Sequence, residues 1–229
     1  MLETKIPVVC YLFTCFDEIS YLENFKSNYN KFDSGMDHEL IICFKLLDDD
    51  KITRFSSILK SLKYKIFKDP NNSNDFDFGS YKRVAQEFPN RDILFLNSHS
   101  YPICNNWLKM LMKYKNKNTL IGSSASYESL IESIKIKKIY KIFSHLYKLY
   151  KFKKHFPKFP NPHLRTSSFL ITSELLLDYL DKRIIKNKFD TWIIESGIDN
   201  LTNYFKNRKY DIFVINSEGK KFSENDWKN

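Results

Sequence analysis

Two carboxylates in the last third of the chain, Asp190 and Glu195, could serve as general bases. A general base must lie within hydrogen-bond reach of the hydroxyl whose proton it takes. Residues 192–194 read Trp-Ile-Ile, which are types usually buried, and Gly197 permits close approach of another group. We therefore favour Glu195 as the catalytic carboxylate, with Asp190 in reserve. The alternative is that Glu195 is an ordinary glutamate on a helix surface.

The polar run Asn97-Ser98-His99 follows directly on an apolar strand that begins at Asp92. Such a run could contact a phosphorylated ligand, or it could simply form a turn. A histidine can ligate Mn²⁺, and an asparagine carbonyl is a weak ligand for a hard cation. We therefore keep His99 as a candidate ligand in a poor metal site. Lysine or arginine side chains and helix N-termini could instead neutralise the ligand directly.

Two further groups of residues could line the same site. The first lies at the carboxyl end of the apolar run Val8–Phe16, and the second lies in a loop rich in Asn and Asp. Their members are Thr14, Phe16, Asp17, Asp75, Asp77 and Gly79. The alternative for the second group is structural, because Asp77 or Ser80 could cap the next helix.

Alternating strands and helices must position these residues. In the first half the predicted strands are Val8–Phe16, Glu39–Leu46, Tyr64–Phe67 and a run from Asp92, and the helices are Ile19–Tyr29, Ile52–Leu62 and Ser80–Phe88. In the second half the pattern predicts helices at Asn105–Tyr114, 133–152, Glu174–Asp181 and Thr191–Phe205, and strands at Thr119–Ser123, Ser167–Thr172 and Tyr210–Ile215. The βαβ order predicts a doubly wound, mostly parallel sheet, which binds ligands at the carboxyl ends of its strands.

The positive charge is concentrated in one segment. The formal net charge is +10, and no Asp or Glu occurs from Ser133 to Ser173. The basic amphipathic segment, residues 133–160, has an apolar stripe at helical spacing. Its members are Ile136, Ile139, Tyr140, Phe143, Leu146, Tyr147 and Tyr150. The stripe could pack on the core, or the segment could rest on an anionic membrane as an interfacial helix.

Cysteine usage favours a reduced, intracellular protein. The four cysteines form no C-x-x-C pair, and no Cys/His cluster has zinc spacing. The apolar run near the N-terminus is too short to span a bilayer and reads poorly as a signal peptide. We therefore expect a cytoplasmic location.

Taken in order, four segments resemble those of bacterial GT-A glycosyltransferases of the family 2-like and rhamnan-synthesis-like kind. Asp75–Tyr81 resembles the acidic donor-site loop, and Ile93–His99 resembles the strand that ends in the metal-binding D-x-D motif. His163–Ile171 is similar to the acceptor-side strand, and Glu195–Thr202 is similar to the helix start that carries the catalytic carboxylate. The likeness covers most of the chain, but Asn97-Ser98-His99 has no carboxylate where D-x-D has two.

The resemblance implies an α/β GT-A (nucleotide-diphospho-sugar transferase) fold, with a mostly parallel central sheet flanked by helices. One domain would comprise a nucleotide-sugar-binding half, residues 1–104, and an acceptor-side half, residues 105–229. The implied enzyme is a hexosyltransferase that moves a sugar, with inversion, from a nucleotide-sugar donor to a surface glycan or a lipid-linked acceptor. His163 and Arg165 would contact the acceptor or a phosphate. No cofactor is certain, and Mn²⁺ or Mg²⁺ is the candidate, although we favour weak or no dependence on metal.

Three other functions are weighed against this interpretation. The residues argue against the first two and leave the third open. A nucleic-acid-binding protein would explain the sequence pI of about 9.2, but no helix-turn-helix, zinc-finger or RNP pattern is present. A sugar nucleotidyltransferase needs a Gly-rich loop after its first strand, and residues 14–18 contain no glycine. A catalytically inactive relative that acts as a scaffold remains an alternative.

Overall fold

The computed structural model describes residues 6–70, 75–132, 134 and 142–227. The strands within these ranges are β1 Val8–Thr14, β2 Glu39–Lys45, β3 Lys65–Lys68, β4 Asp92–Leu96, β5 Thr119–Gly122, β6 Ala125–Ser126, β7 His163–Leu164, β8 Ser168–Thr172, β9 Asp211–Ile215 and β10 Lys221–Phe222. The helices are α1 Ile19–Lys31, α2 Asp49–Ile58, α3 Phe76–Glu87, α4 Trp107–Met112, α5 Ile142–His155, α6 Ser173–Leu180, α7 Lys188–Ser196 and α8 Leu201–Lys206.

An eight-stranded sheet forms the centre of the described structure, in the order β10-β9-β5-β8-β4-β1-β2-β3. Strands β3, β2, β1 and β4 pair in parallel, and β5 pairs in parallel with β9. Strand β8 enters antiparallel between β4 and β5, and β10 is antiparallel to β9. Strands β6 and β7 form a separate two-stranded sheet. The predicted α/β class, with a mostly parallel central sheet flanked by helices, is confirmed.

The central sheet is buried on both faces, as the continuous apolar run of β1 predicts. Side chains of a strand alternate between faces. Val8, Cys10 and Leu12 therefore pack into one core with α3, α6, α7 and α8. Val9, Tyr11 and Phe13 pack into the other core with α1, α2 and α4. Because both faces are covered, polar side chains of β1 can reach a ligand only at the ends of the strand.

The helix predicted over Thr191–Phe205 is wrong as a single element, because the chain forms α7 and α8 with a break between them. Gly197 ends α7, and a Cβ at that position would lie 2.6 Å from the carbonyl oxygen of Ile193. The side chain of Asn200 then begins α8 by accepting a hydrogen bond from the backbone N–H of Asn203 at 2.8 Å. A glycine and an Asn cap therefore separate two helices whose apolar spacing reads as one.

Other predicted helices differ at their boundaries, among them Ile52–Leu62, which is observed as Asp49–Ile58. The helix expected from Ser80 begins at Phe76, and the hydroxyl of Ser80 donates to Asp69 from within α3. Of the predicted segment 133–152, residues 133 and 135–141 lie outside the described residues, and α5 is observed from Ile142 to His155. Among the described helices, none has the length and apolar character that crossing a bilayer requires.

A buried cluster of four charged side chains joins β2, the residue after β3, and α3. Arg83 donates through Nε to Asp69 Oδ1 at 2.6 Å and through Nη1 to Asp75 Oδ2 at 2.7 Å. Lys45, at the end of β2, pairs with Asp75 and lies 3.5 Å from Asp69 Oδ2. Two cations and two carboxylates make the cluster neutral, which allows these charges to be buried.

Removal of one cation from this cluster should destabilise the fold strongly. Arg83→Met removes one of the two cations described beside the Asp69 and Asp75 carboxylates, and Lys45 remains as the other. We expect the free energy of unfolding to fall by roughly 3–5 kcal/mol. The matched control is Lys82→Met, because Lys82 pairs with a mostly exposed Asp181 at 3.0 Å. That change should stay within about 1 kcal/mol. Urea unfolding measures both variants, and equal losses would contradict the role assigned to the cluster.

Candidate functional site

A cavity of about 560 Å³ opens at the carboxyl edge of the parallel strands. The ends of β1, β2 and β4 contribute to its wall, as do the first turn of α3 and one side of α7. Of the predicted site residues, those that line it are Thr14, Phe16, Asp17, Asp77, Asn97, Ser98, His99 and Glu195. This is the edge at which doubly wound sheets bind ligands.

Asp17 links the ends of β1 and β4 at the floor of the cavity. Its Oδ2 accepts the backbone N–H of Thr14 at 2.7 Å, and its Oδ1 accepts the hydroxyl of Ser98 at 2.6 Å. The buried hydroxyl of Tyr11 donates to the carbonyl of Ser98 at 2.9 Å, and burial raises the pKa of Tyr11 well above its ordinary value. These bonds fix the backbone from which Asn97 and His99 project.

Glu195 is held in place by one neighbouring residue. The backbone N–H and the hydroxyl of Thr166 both donate to Glu195 Oε1, at 3.1 Å and 3.0 Å. The other oxygen, Oε2, accepts no hydrogen bond from any described residue. The carboxylate is therefore oriented through one oxygen, and its second oxygen remains available to a hydroxyl bound in the cavity.

Asp77 lies in the first turn of α3, and its carboxyl group has an altered acidity. Burial, together with the smaller effect of the negative charges of Asp17 and Glu195, raises its pKa from 3.8 to about 6. Lys45 and His99 act in the opposite direction. A carboxyl group with this pKa is partly protonated near neutral pH, so it can both donate and accept hydrogen bonds.

Aromatic rings and cations surround these carboxylates. The Phe16 side chain is 70% exposed at the mouth of the cavity. The His99 ring lies 4.4 Å from the Tyr21 ring, centroid to centroid. Lys188 is exposed, and its Nζ lies 5.6 Å from the centroid of Trp192. The cavity therefore offers flat surfaces for a planar ligand and an exposed cation for an anionic one.

Two predicted donor-site residues lie in the wall behind the cavity. Asp75 is buried and belongs to the ion cluster with Lys45 and Arg83. Gly79 lies one turn later in α3, where a Cβ would fall 1.9 Å from the Asp75 carboxyl carbon. Gly79 is therefore explained by the close approach of a carboxylate, and neither residue lines the cavity.

Three other predicted residues also do not line the cavity. Asp190 Oδ2 accepts the backbone N–H groups of Lys186 and Asn187 in the capping box of α7. His163 is buried on β7 with its Nδ1 2.7 Å from the carbonyl of Asn161, and burial lowers its pKa. Arg165 pairs with Glu128 at 2.7 Å. Asp190 and His163 therefore take part in local hydrogen bonds, and Arg165 in a surface ion pair, outside the cavity.

Sequence reasoning missed several residues that line the cavity. They are Leu12, Lys45, Phe76, Phe78, Thr166, Lys188, Thr191 and Trp192. A signal for some of them was present. Lys45 is a charged residue that directly follows the apolar residues 40–44 at the carboxyl end of β2. Lys188, Thr191 and Trp192 precede Glu195 by seven, four and three residues, which places them on its side of a helix.

The described side chains do not form a metal centre. Among residues 6–70, 75–132, 134 and 142–227, no group of three or more His, Cys, Asp or Glu side chains could hold a metal ion. Both oxygens of Asp17 and one oxygen of Glu195 already accept hydrogen bonds. His99 lines the same cavity, but among the described residues it belongs to no group of three such side chains that could hold a metal ion together. The described donor set therefore does not fit a dedicated Mn²⁺ or Mg²⁺ site.

No family model matches the chain, and no curated protein matches it. Solved structures do match. A mannosyltransferase from Pyrobaculum calidifontis, in complex with GDP-Man and Mn²⁺, is 11% identical with a TM-score of 0.49 over 92% of this chain and 55% of that one. A nucleotidyl transferase from Methanothermobacter thermautotroptrophicus is 10% identical, with a TM-score of 0.47 over 90% and 97%. The glycosyltransferase GlyE of Streptococcus pneumoniae is 9% identical, with a TM-score of 0.46 over 90% and 44%.

These neighbours are two glycosyltransferases and a nucleotidyl transferase. The chain spans only about half of the length of the mannosyltransferase. At these identities and TM-scores the similarity assigns no activity to this chain.

Replacement of Asp77 should change the dependence of stability on pH. Because its folded pKa of about 6 lies above 3.8, the folded protein binds this proton more tightly. Its contribution to stability is therefore present below about pH 4 and is lost as the pH rises through about 6. Asp77→Asn should raise the free energy of unfolding at about pH 7.5 by roughly 1–3 kcal/mol and change it little at about pH 4.

Urea unfolding at the two pH values measures this difference. Glu87→Gln is the matched control, because Glu87 is exposed outside the cavity. A difference between Asp77→Asn and the parent that is the same at both pH values would contradict the assignment.

Proposed function

We propose that this protein is a glycosyltransferase that moves a sugar from a nucleotide-sugar donor to an acceptor hydroxyl. The observation that carries the proposal is the cavity at the carboxyl edge of the sheet, which Glu195 lines together with the polar ends of β1 and β4. A transferase of this class needs a groove for a nucleotide diphosphate and a base directed at a second substrate. The cavity of about 560 Å³ offers both.

The donor nucleotide would lie against the end of β1 and the start of α3. The exposed Phe16 ring provides a surface on which a nucleobase can stack, and Asp17 and Asp77 provide acceptors for sugar or ribose hydroxyls. The diphosphate would lie near Asn97–His99. Lys188 is the described cation of the cavity that takes part in no described ion pair, so we assign it to the diphosphate.

Oε2 of Glu195 would accept the proton of the acceptor hydroxyl as the oxygen of that hydroxyl attacks the anomeric carbon. The diphosphate leaves from the opposite side, so the configuration of the anomeric carbon inverts. Thr166 has the role of a positioning residue, because its two hydrogen bonds orient Oε1. Arg165, the residue before Thr166, and His163 would contact the acceptor or its phosphate where the acceptor extends beyond the cavity, since neither side chain lines the cavity itself.

Charge balance determines how the donor can bind. Asp17, Asp77 and Glu195 line the cavity with three carboxyl groups. An incoming diphosphate would add further negative charge. Lys188, a proton on Asp77 or a divalent cation brought in with the donor would each supply compensating positive charge. We derive no chemical step from a metal, and we propose weak or no dependence on Mn²⁺ or Mg²⁺.

We further propose a hexosyl donor and a bacterial surface glycan or lipid-linked acceptor, as in polysaccharide biosynthesis of the cell envelope. These assignments extend the rhamnan-synthesis-like resemblance of the sequence. A nucleotide-sugar donor and four free thiols accord with a cytoplasmic location, peripheral to the inner face of the cell membrane.

Donor binding can be tested before the acceptor is known. Thermal stability of the protein is measured against nucleotides and nucleotide sugars, with and without Mn²⁺. A ligand present at about 100-fold its dissociation constant should stabilise the fold by about 2.7 kcal/mol. A shift with one diphosphonucleotide in the absence of Mn²⁺ is the expected result. No shift with any nucleotide would contradict the proposal and favour a scaffold or a nucleic-acid-binding protein.

The role of Glu195 has its own test once a donor is identified. Glu195→Gln keeps the hydrogen bonds from Thr166 but removes the base. We expect turnover to fall by about 10²–10⁴-fold, with the thermal shift by donor retained. Glu87→Gln, on the exposed end of α3, is the control and should not change turnover. Unchanged turnover in Glu195→Gln would overturn the assignment.

A further inference from the structure

The outer face of α5 exposes large apolar side chains. Leu146, Tyr147 and Tyr150 are 54%, 70% and 71% exposed. They belong to the predicted apolar stripe, whose members Ile136, Ile139 and Tyr140 lie outside the described residues and whose Phe143 side chain is not described. The alternative that the stripe packs on the core is therefore wrong for its three described members.

A different face of α5 attaches the helix to the protein. Phe152 and Phe156 are buried, and their rings lie 5.4 Å and 5.6 Å from the ring of Phe189 on α7. Phe152 also lies 6.2 Å from Trp192, centroid to centroid. The inner face therefore already has its packing partners, and the exposed tyrosines are not needed to hold α5.

Lysines border the exposed apolar face. Lys154 follows Tyr150 by four residues, which places it on the same side of the helix, whereas the Nζ of Lys151 turns towards α7 and lies 4.1 Å from the centroid of the Phe189 ring. Lys148, Lys153 and Lys158 are also exposed. None of these five lysines forms an ion pair with a described residue, and no Asp or Glu occurs between Ser133 and Ser173. The surface is therefore strongly positive and uncompensated by its own segment.

We infer that the exposed face of α5 docks on an anionic lipid bilayer. Lysines would bind the lipid phosphates, while Tyr147 and Tyr150 lie at the level of the headgroups, where amphipathic rings are favoured. Leu146 would enter the acyl boundary. A nucleic acid would use the lysines but would gain nothing from burying Leu146, which is why the combination favours a membrane.

The docked face lies beside the candidate active site. Helix α7 separates the two, since it contacts α5 through Phe189 and Trp192 and lines the cavity with Lys188, Trp192 and Glu195. Near the end of α5, the exposed Ile198 donates its backbone N–H to the carbonyl of His155 at 2.9 Å, which adds apolar surface beside the helix. Docking would thus bring the cavity close to an acceptor held in the membrane.

Sedimentation with lipid vesicles tests this inference without any donor, so its outcome is independent of the proposed transfer reaction. The protein should sediment with vesicles of phosphatidylglycerol and phosphatidylcholine but not with phosphatidylcholine alone. About 0.5 M salt should release it. Lys153→Gln/Lys154→Gln should weaken the partition coefficient about 20-fold, from about fivefold per lysine near the surface. Tyr147→Ser/Tyr150→Ser should weaken it several-fold at unchanged charge.

The matched control is Lys60→Gln/Lys63→Gln, which removes the same charge from two exposed lysines outside α5. It should bind vesicles like the parent, and melting curves should show that all variants remain folded. Equal weakening by the two lysine variants would overturn the inference, because it would show a general charge effect. Absence of vesicle binding, with Lys153 and Lys154 required instead for binding to duplex DNA, would also overturn it in favour of a nucleic-acid surface.

Discussion

The neutral cluster of Lys45, Asp69, Asp75 and Arg83 is the interaction on which the geometry of the cavity depends. Charges buried beneath a ligand site are tolerated only when their partners are fixed, because desolvation of an unpaired ion costs several kcal/mol. The cluster therefore fixes the end of β2, the residue after β3 and the first turns of α3 relative to one another. Gly79 belongs to the same constraint, since any side chain there would displace the Asp75 carboxylate.

Around this wall, separate elements each bring one carboxylate to the cavity. Asp17 comes from the end of β1, Asp77 from α3 and Glu195 from α7. Their mutual repulsion, added to burial, appears in the raised pKa of Asp77. Folding thus holds together groups that would separate in water, which is a common property of sites arranged for binding or proton transfer.

The sequence predicted the sheet and the edge at which polar residues meet, because strand periodicity and the carboxyl-end rule act locally. It could not separate Asp75 from Asp77, because Asp75 precedes α3 and points into the ion cluster, while Asp77 in the first turn of α3 points into the cavity. Likewise Asp190 reads as a candidate base but caps α7. Thr166 was missed as a positioning residue because its partner, Glu195, is 29 positions away.

Phe152 on α5 packs against Trp192, and Trp192 also lines the cavity. If binding of a surface to α5 raises the affinity of the cavity for its ligand by some factor, binding of the ligand raises the affinity of α5 for the surface by the same factor. The protein would then leave its surface more readily when the cavity empties. Affinity for the surface and affinity for the ligand of the cavity would then be two measures of one coupling free energy.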